Sequence, residues 1–355
     1  MNEIFKGLKV LELSSVLAGP AVGMFFAELG AQVMKVENSK TNGDVTRTWR
    51  LATEEEDKVS AYYCAINYNK KVIFLDLSSK EGQNEVYELL ADCDVIITNF
   101  KKGAAEKLGM DYKTLRKIKQ DIIYAHLTGF GINSDRPAYD VVLQAEAGFM
   151  SMCGEKDGAA VKMPVALLDV LAAHQLKEGI LVALLKKMKT GKGSFVTNSL
   201  YDSALASLAN QATNWLMAGH IPQRMGSQHP NIAPYGDIFK TKDHKEVVIA
   251  CGTQGHFVQL CAYLGKEELL SDARFYDNTN RVSNRAALND ILAEAFKKFN
   301  RNELIDGLTL LQVPIGAIRN MKEVFESEAS RSLILEEIQG NTRTRRVKTV
   351  VFEIR

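Results

Sequence analysis

The chain has 355 residues, of which 46% are hydrophobic and 25% are charged, and its formal net charge is +1. This length is sufficient for a large core and predicts two domains. Because the net charge is close to zero, neither a nucleic acid nor an anionic membrane is an expected partner. No stretch reaches the roughly 18 to 20 apolar residues of a membrane span, and the N-terminus lacks a signal-peptide pattern.

Cysteine and histidine usage favours a reducing compartment. The cysteines are odd in number, scattered and without CxxC spacing, which argues against a disulfide framework and against a zinc site. The histidines form no close pair with the spacing of metal ligands. We therefore expect a cytoplasmic enzyme that uses no metal.

The N-terminal region has the pattern of a βαβ unit. Residues 7–13 predict a buried strand that ends at residues 18–20, residues 21–29 predict a helix, and residues 31–37 predict a second strand. The turn at residues 14–20 has one glycine instead of the G-x-G-x-x-G pattern, and its proline lacks a backbone N–H for a phosphate. A Rossmann-like scaffold is predicted, but a nicotinamide enzyme is not.

The alternation of strands and helices continues along the chain. Short apolar strands separated by helices predict an α/β fold with a parallel sheet covered on both faces. The further strands are expected at residues 72–76, 94–97, 121–127 and 195–198, and the helices at 79–93, 168–188 and 202–217.

Chain-breaking residues follow residue 218 and predict a domain boundary. We expect a large Rossmann-like domain at residues 1–218, a linker at 219–225 and a smaller α+β domain at 226–320. Its strands are expected at 235–239 and 247–250, with helices from Gly255, Ala286 and Glu303. Residues 321–355 are expected to return to the large domain, with a last strand within 345–352.

Asp169 is an acid within an apolar run where a long helix is predicted to start. One interpretation is a helix N-cap, which contributes about 1 kcal/mol. The other is a nucleophile, because a carboxylate with an ordinary pKa of about 4 at a helix N-terminus is ionised at neutral pH. Such a group can attack an acyl carbon and form an anhydride. The residues alone leave both interpretations open.

Two basic segments that contain asparagine adjoin predicted strands, residues 67–71 before one and residues 99–103 after another. The second lies at the carboxyl end of its strand, where open α/β sheets bind ligands. Lysine pairs and amides suit the phosphates and adenine of a nucleotide such as coenzyme A (CoA), and Arg47 shares this interpretation. The alternative is solvated lysines at loop ends. Tyr139, taken alone, predicts a packing tyrosine with a surface hydroxyl.

Taken together, these segments resemble the family III CoA-transferases, the group of the formyl-CoA and carnitine CoA-transferases, whose superfamily includes the 2-methylacyl-CoA racemases. The similarity covers about residues 5–330. The matching segments follow the family's order: residues 8–13, 18–20, 29–37, 43–47, 67–71, 99–103, 128–131, 139–140, 169, 189–193 and 229–235.

The resemblance implies a Rossmann-like large domain, a small domain and a homodimer of interlocked chains. It implies that Asp169 is the nucleophile and forms an aspartyl anhydride and then an aspartyl-CoA thioester, as CoA moves from an acyl-CoA to a carboxylic acid. CoA is then a substrate. The expected CoA-binding residues are Ala18, Gly19, Arg47, Asn69, Lys70, Lys71, Asn99, Lys101 and Lys102.

Residue 139 favours transfer over racemisation. The racemases have a histidine base directly before the aspartate that matches Asp140, and this chain has Tyr139, as formyl-CoA transferase does. A tyrosine, with an ordinary pKa of about 10, is a poor base at neutral pH. We therefore assign Tyr139 to the catalytic site of a transferase.

Two departures from the family pattern qualify this expectation. Leu17 stands where formyl-CoA transferase has glutamine, which argues against formyl or oxalyl substrates. The chain also ends before a segment with which many relatives continue, so a short or truncated member is expected. The alternatives to a transferase are a racemase or acyl-CoA hydrolase on the same scaffold, or a catalytically silent CoA-binding protein. The donor and acceptor are not readable from the sequence.

Overall fold

The structure is a computed structural model that describes residues 3–339 and 342–354. The chain divides into two compact units. The first contains the residues up to Met150, Lys162–Pro222 and the C-terminal segment from Ser332, and the second contains Ser151–Val161 and Gln223–Arg331. The expected small domain falls inside the second unit, which also takes in residues 151–161 and 321–331. In the described part of the chain, no helix has the length and apolar character needed to span a bilayer.

The first unit is built on a six-stranded sheet with the order β3-β2-β1-β4-β5-β6. Every strand pairing in it is parallel, and Leu11, for example, lies opposite Met34 on one side and Ile96 on the other. This order confirms the predicted Rossmann-like fold. The strands are β1 Lys9–Leu13, β2 Gln32–Asn38, β3 Lys70–Leu75, β4 Val95–Thr98, β5 Ile123–Thr128 and β6 Ser194–Ser199.

Helices connect these strands and cover both faces of the sheet. Those before residue 220 are α1 Ala18–Glu28, α2 Ala61–Cys64, α3 Lys80–Ala91, α4 Ala104–Lys107, α5 Tyr112–Ile118, α6 Asp140–Glu146, α7 Phe149–Met152, α8 Leu167–Thr190, α9 Leu200–Ala206 and α10 Ala209–Ala218. Short 3₁₀ helices lie at Ser39–Thr41 and Val45–Thr48.

Alternate residues of the central strands β1, β4 and β5 enter two separate cores, because successive side chains of a strand point to opposite faces. Val10 of β1 packs in one core with Phe26 of α1 and Leu176 of α8. Leu11, its neighbour, packs in the other core with Val86 of α3. The near-continuous apolar strands of the sequence are thus explained by burial on both faces.

Two local predictions were wrong. The Ala18-Gly19-Pro20 segment, expected to end a strand, forms the first turn of α1, where a backbone N–H has no partner within the helix and proline is tolerated. The helix expected over 202–217 is two helices, interrupted before Ala209, whose φ is +46°. Near the interruption the Ser207 hydroxyl donates to the Ser203 carbonyl oxygen at 2.7 Å.

The second unit is an antiparallel sheet covered by helices. Phe239 of the sheet stacks on Phe296 with ring centroids 4.5 Å apart, and both are in its core. The sheet has the order β7-β8-β9, from Tyr235–Lys240, Glu246–Ala250 and Ile315–Ala317. The helices are α11 Gln254–Leu264, α12 Asn278–Ser283, α13 Arg285–Phe296, α14 Arg301–Leu310, α15 Met321–Phe325 and α16 Glu328–Arg331, with a 3₁₀ helix at Glu267–Leu270.

The C-terminal segment forms a hairpin of β10 Ile334–Gln339 and β11 Thr342–Val347. The last strand therefore overlaps the expected region only at residues 345–347, and its partner is β10. Beyond it, the backbone N–H groups of Thr349 and Val350 donate to the Glu28 carboxylate at 2.9 to 3.1 Å. This contact fastens the segment to α1 of the first unit.

Candidate active site

A cavity of about 350 Å³ opens at the carboxyl ends of β1, β4 and β5. Residues 15–18 after β1 and 99–102 after β4 form two of its walls, and much of the segment 126–140 forms a third. Asp169 and Leu200 complete the lining. The connections that leave β1 and β4 diverge here, so the cavity lies at the switch point where doubly wound sheets bind ligands.

Asp169 lies in the cavity wall as the third residue of α8. It is not the N-cap, since Ala166 occupies that position, and the N-cap interpretation is wrong. Burial, and then the neighbouring charge of Asp140, raise the pKa of the Asp169 carboxyl to about 7. The expectation of an ordinary pKa was therefore also wrong. Desolvation outweighs the favourable field of the helix N-terminus.

Asp140 and Gln144 of α6 fix the start of the helix that carries Asp169. Asp140 accepts a hydrogen bond from the Leu168 backbone N–H at 2.7 Å and another from the Gln144 side-chain amide. Gln144 in turn accepts from the Met163 backbone N–H at 2.8 Å. Gln144 is only 1% exposed. The segment before α8 is thus held by a buried polar contact rather than by its own cap.

The structure brings six of the predicted site residues to this cavity, including Asp169 and Tyr139, which is 61% exposed. Lys102 is exposed and its ammonium donates to the Asn133 carbonyl oxygen at 2.9 Å. Gly19 does not line the cavity; it packs where an added Cβ would lie 2.5 Å from the Ser14 side chain. The residues brought together are Ala18, Asn99, Lys101, Lys102, Tyr139 and Asp169.

The structure does not bring the other four predicted CoA-binding residues to the cavity with Asp169. They line a separate cavity of about 1550 Å³ in the same unit, at Arg47, Asn69, Lys70 and Lys71. The sequence placed them with Asn99 and Lys101 because all occur in basic loops. They lie instead around β3, which is at the edge of the sheet, two strands from β1.

Two of these four residues, the cations Lys70 and Arg47, form ion pairs with buried carboxylates. The Lys70 ammonium lies 2.8 Å from Glu12 and donates to the Pro20 carbonyl oxygen at 2.7 Å, and burial lowers the pKa of Lys70 to about 8. Arg47 donates to both carboxylate oxygens of Glu37, at 2.6 and 3.0 Å. Both cations thus have partners within the protein and stabilise the fold. Their presence in the sequence is explained without a bound phosphate.

Asn99 also has a partner within the protein. Its side-chain oxygen accepts from the Ser15 backbone N–H at 3.1 Å, and its side-chain nitrogen donates to the Ser15 carbonyl oxygen at 2.8 Å. The amide therefore clamps the loop after β1 with both of its polar groups. The prediction placed Asn99 correctly in the cavity wall but did not identify this contact.

Two basic residues that line the cavity were missed in the sequence. Arg136 lines the cavity with its guanidinium 4.0 Å from the centre of the Phe130 ring. His126 also lines it, its Nδ1 2.8 Å from the Thr98 hydroxyl, and burial lowers its pKa. Only His126 had a signal, because it lies near the carboxyl end of a predicted strand.

Metal-ligating groups are not gathered at this cavity. Within residues 3–339 and 342–354, no cluster of three or more His, Cys, Asp or Glu side chains is arranged to hold a metal ion. What the cavity does offer is a partly buried carboxylate at a helix start, a phenol and cations at its rim. Such a set suits attack on an acyl group and the binding of anions.

Known proteins are similar to this chain in sequence and in fold. The family model described as CoA-transferase family III matches residues 5–354. A succinate–glutarate CoA-transferase of Agrobacterium fabrum is 37% identical over 326 residues, 90% of this chain and 81% of that one. The human succinyl-CoA:glutarate CoA-transferase is 36% identical over 333 residues, 92% of this chain and 74% of that one.

A solved structure shows the same architecture. The crystal structure of a CaiB/BaiF family protein from Brucella suis has a TM-score of 0.90 and 38% identity, and the match covers 99% of this chain and 93% of that one. The resemblance inferred from the sequence is thereby confirmed across both units. This chain belongs to CoA-transferase family III and is an enzyme of that family.

Proposed function

We propose that this enzyme moves CoA from a short dicarboxylic acyl-CoA to a dicarboxylic acid through covalent intermediates on Asp169. The observation that carries the proposal is the position of Asp169, in the first turn of a long helix and in the wall of the cavity at the sheet's switch point. The named succinate and glutarate substrates of the two relatives support the substrate class. Lys101, Lys102 and Arg136 are the cations that would meet carboxylate or phosphate groups there.

The first half of the reaction removes CoA from the donor. The ionised Asp169 carboxylate attacks the thioester carbon, the C–S bond breaks, and the products are an acyl-aspartyl anhydride and the CoA thiolate. The thiolate then attacks the aspartyl carbonyl carbon of the anhydride. The donor leaves as a carboxylate, and CoA is held as an aspartyl thioester.

The second half reverses these bond changes with the acceptor. The acceptor carboxylate attacks the aspartyl thioester carbon and releases the thiolate, which gives an acceptor-aspartyl anhydride. The thiolate attacks the acceptor's acyl carbon, so that acceptor acyl-CoA and the free Asp169 carboxylate are formed. Each thioester is replaced by another, and no external energy source is needed.

The pKa of Asp169 suits this role. A carboxylate whose pKa is about 7 is a stronger nucleophile than an ordinary one and is still half ionised at neutral pH. Each attack creates an oxyanion, which backbone N–H groups at the start of α1 would stabilise. Tyr139 lies beside Asp140 at the cavity mouth, where we expect it to contact the substrate. In this assignment Ala18 lies beside the thioester, and Gly19 is the next residue of the chain.

The racemase alternative is disfavoured by the residue at position 139. Racemisation requires proton removal beside the thioester, and the position used for that histidine base is occupied by Tyr139, a weak base. Hydrolysis would consume the aspartyl thioester with water and give a net loss of CoA thioester. A silent CoA-binding protein would bind CoA without exchange. Each of these alternatives is a distinct outcome of the experiment below.

Two copies of the chain are proposed to interlock as a homodimer in the cytoplasm. The dimer is implied by the resemblance to the family. The five cysteines are all free thiols in the structure, which supports a reducing compartment. Light scattering on the purified protein should give twice the chain mass of 39.4 kDa.

The function is tested by mass spectrometry of the protein incubated with succinyl-CoA and isotope-labelled glutarate. We expect labelled glutaryl-CoA, and CoA or acyl mass on the peptide that contains Asp169. Asp169→Asn should abolish both signals, while Glu178→Gln, which removes an exposed carboxylate from the same helix, should retain them. Loss of thioester without labelled product would indicate a hydrolase, and α-proton exchange would indicate a racemase. CoA binding alone would indicate the silent protein.

A further inference from the structure

Three side chains from three different segments hold consecutive backbone groups of the loop after β1. The Lys35 ammonium donates to the Ser14 carbonyl oxygen at 2.7 Å. Asn99 holds both backbone groups of Ser15, and the Val16 backbone N–H donates to the Asp44 carboxylate at 3.2 and 3.3 Å. Such complete restraint is unusual for a surface-facing loop, and this loop lines the cavity that contains Asp169.

Val16 has a backbone conformation that its side chain disfavours. Its φ is +72°, in the left-handed region, where a β-branched residue meets steric conflict with its own backbone. A conformation of this kind is unfavourable and persists only where the surroundings impose it. At Val16 itself, the backbone N–H is held by the Asp44 carboxylate.

The Asp44 side chain is itself held by several contacts. Its carboxylate lies 3.1 Å from the Lys35 ammonium and accepts from both the backbone N–H and the hydroxyl of Thr46, at 3.0 and 2.9 Å. The side chains of Asp44 and Lys35 have no exposed surface. Lys35 also pairs with the buried Glu12 at 2.9 Å. Asp44 therefore connects the buried ionic cluster of Glu12, Lys35 and Asp44 to the backbone of Val16.

The conformation of Val16 determines where the next residues lie. Leu17 immediately precedes α1, and Leu17 and Ala18 both line the cavity. If Val16 relaxed to a negative φ, the chain direction would change at this point, and the start of α1 would leave its position relative to Asp169. A displacement of about 1 Å in such a site can cost on the order of a hundredfold in rate.

From these contacts we infer that Asp44 is a positioning residue for the transfer reaction, which acts by holding Val16 in the left-handed conformation. This role rests on the proposed function. It is distinct from a structural role of the Lys35 cluster, because a structural role would lower stability without a special dependence on the residue at position 16.

Glycine at position 16 separates the two roles, since glycine adopts a positive φ at no steric cost. We would measure kcat and KM for acyl exchange in the wild type, Asp44→Ala, Val16→Gly and the double variant. Asp44→Ala should lower kcat by about tenfold or more while KM changes little. In the Val16→Gly background the same substitution should lower kcat by only about threefold or less. Asn42→Gly, at another left-handed position that is exposed, should give no such rescue.

Equal effects of Asp44→Ala in both backgrounds would overturn the inference, even if the wild type exchanges CoA. Absence of exchange in the wild type would instead overturn the proposed function. If Asp44→Ala does not fold, Asp44→Asn takes its place in the same cycle, since asparagine removes the charge of this side chain and keeps one acceptor oxygen. Thermal unfolding of each variant shows that the comparison is made between folded proteins.

Discussion

The carboxylate of Asp140 caps the helix that carries Asp169. It accepts a hydrogen bond from the backbone N–H of Leu168, the second residue of α8, at 2.7 Å. Ala166, at the N-cap position, has no side-chain oxygen for this purpose. The same carboxylate adds a negative charge beside Asp169 and, after burial, is the second cause of its raised pKa. One residue thus affects both the position and the protonation of the proposed nucleophile.

The first prediction concerns the pH dependence of exchange. Because the pKa of Asp169 is raised to about 7, kcat/KM should rise with pH through this value as the carboxylate ionises. Asp140→Asn removes the like charge, so the midpoint of the profile should move to lower pH. Steady-state rates between pH 5 and pH 9 would measure it. A midpoint that is the same in both proteins would show that Asp140 does not affect this ionisation.

The second prediction concerns stability. A folded-state pKa of about 7, against about 4 in an unfolded chain, means that Asp169 favours folding less as the pH rises between these values. The loss amounts to at most about 4 kcal/mol. Asp169→Asn cannot ionise, so its thermal midpoint relative to the wild type should increase from pH 4.5 to pH 7.5. A difference that stays constant across this range would contradict the raised pKa.

The third prediction separates the two adjacent lysines of β3. Lys70 has its ammonium in a buried ion pair with Glu12, whereas Lys71 is exposed. Lys70→Met leaves Glu12 with less compensation and should lower the free energy of unfolding by about 3 to 5 kcal/mol. Lys71→Met should change it by about 0.5 kcal/mol or less. Urea unfolding would measure both, and equal effects would contradict the structural role of Lys70.

Much of the fold could be predicted from the sequence because its strands are apolar on both faces. The parallel sheet and the positions of its strands follow from that pattern, and the predicted bounds differ by a few residues at each end. The start of α1 was missed because Pro20 is compatible both with a break and with a first helical turn. The interruption before Ala209 was missed because alanine gives no sequence signal for a positive φ.

The candidate site was predictable only in part, since loops that share a composition do not share a location. Asn99 and Lys101 follow β4, next to β1 at the switch point, while Lys70 begins β3 at the edge of the sheet. Strand order separates them, and composition does not reveal it. The raised pKa of Asp169 could not be predicted from the sequence either. It depends on burial and on Asp140, which only the folded chain brings near.

The last prediction concerns the close approach of Gly129 and Ala138 in the cavity wall. A Cβ added at Gly129 would lie 2.2 Å from the Cβ of Ala138, so Gly129→Ala must displace the segment that leads into Tyr139 and Asp140. We expect a loss of about tenfold or more in kcat/KM for acyl exchange and about 1 to 3 kcal/mol in stability.

The reverse change provides the control for this prediction. In the double variant Gly129→Ala with Ala138→Gly, the second substitution removes the Cβ that the first one meets, so most of the activity should return. Gly255→Ala in the second unit, whose added Cβ would have its nearest neighbour at 3.8 Å, should be without effect. If the double variant is as slow as Gly129→Ala alone, the loss comes from another cause than this contact, and the position of Tyr139 and Asp140 does not depend on it.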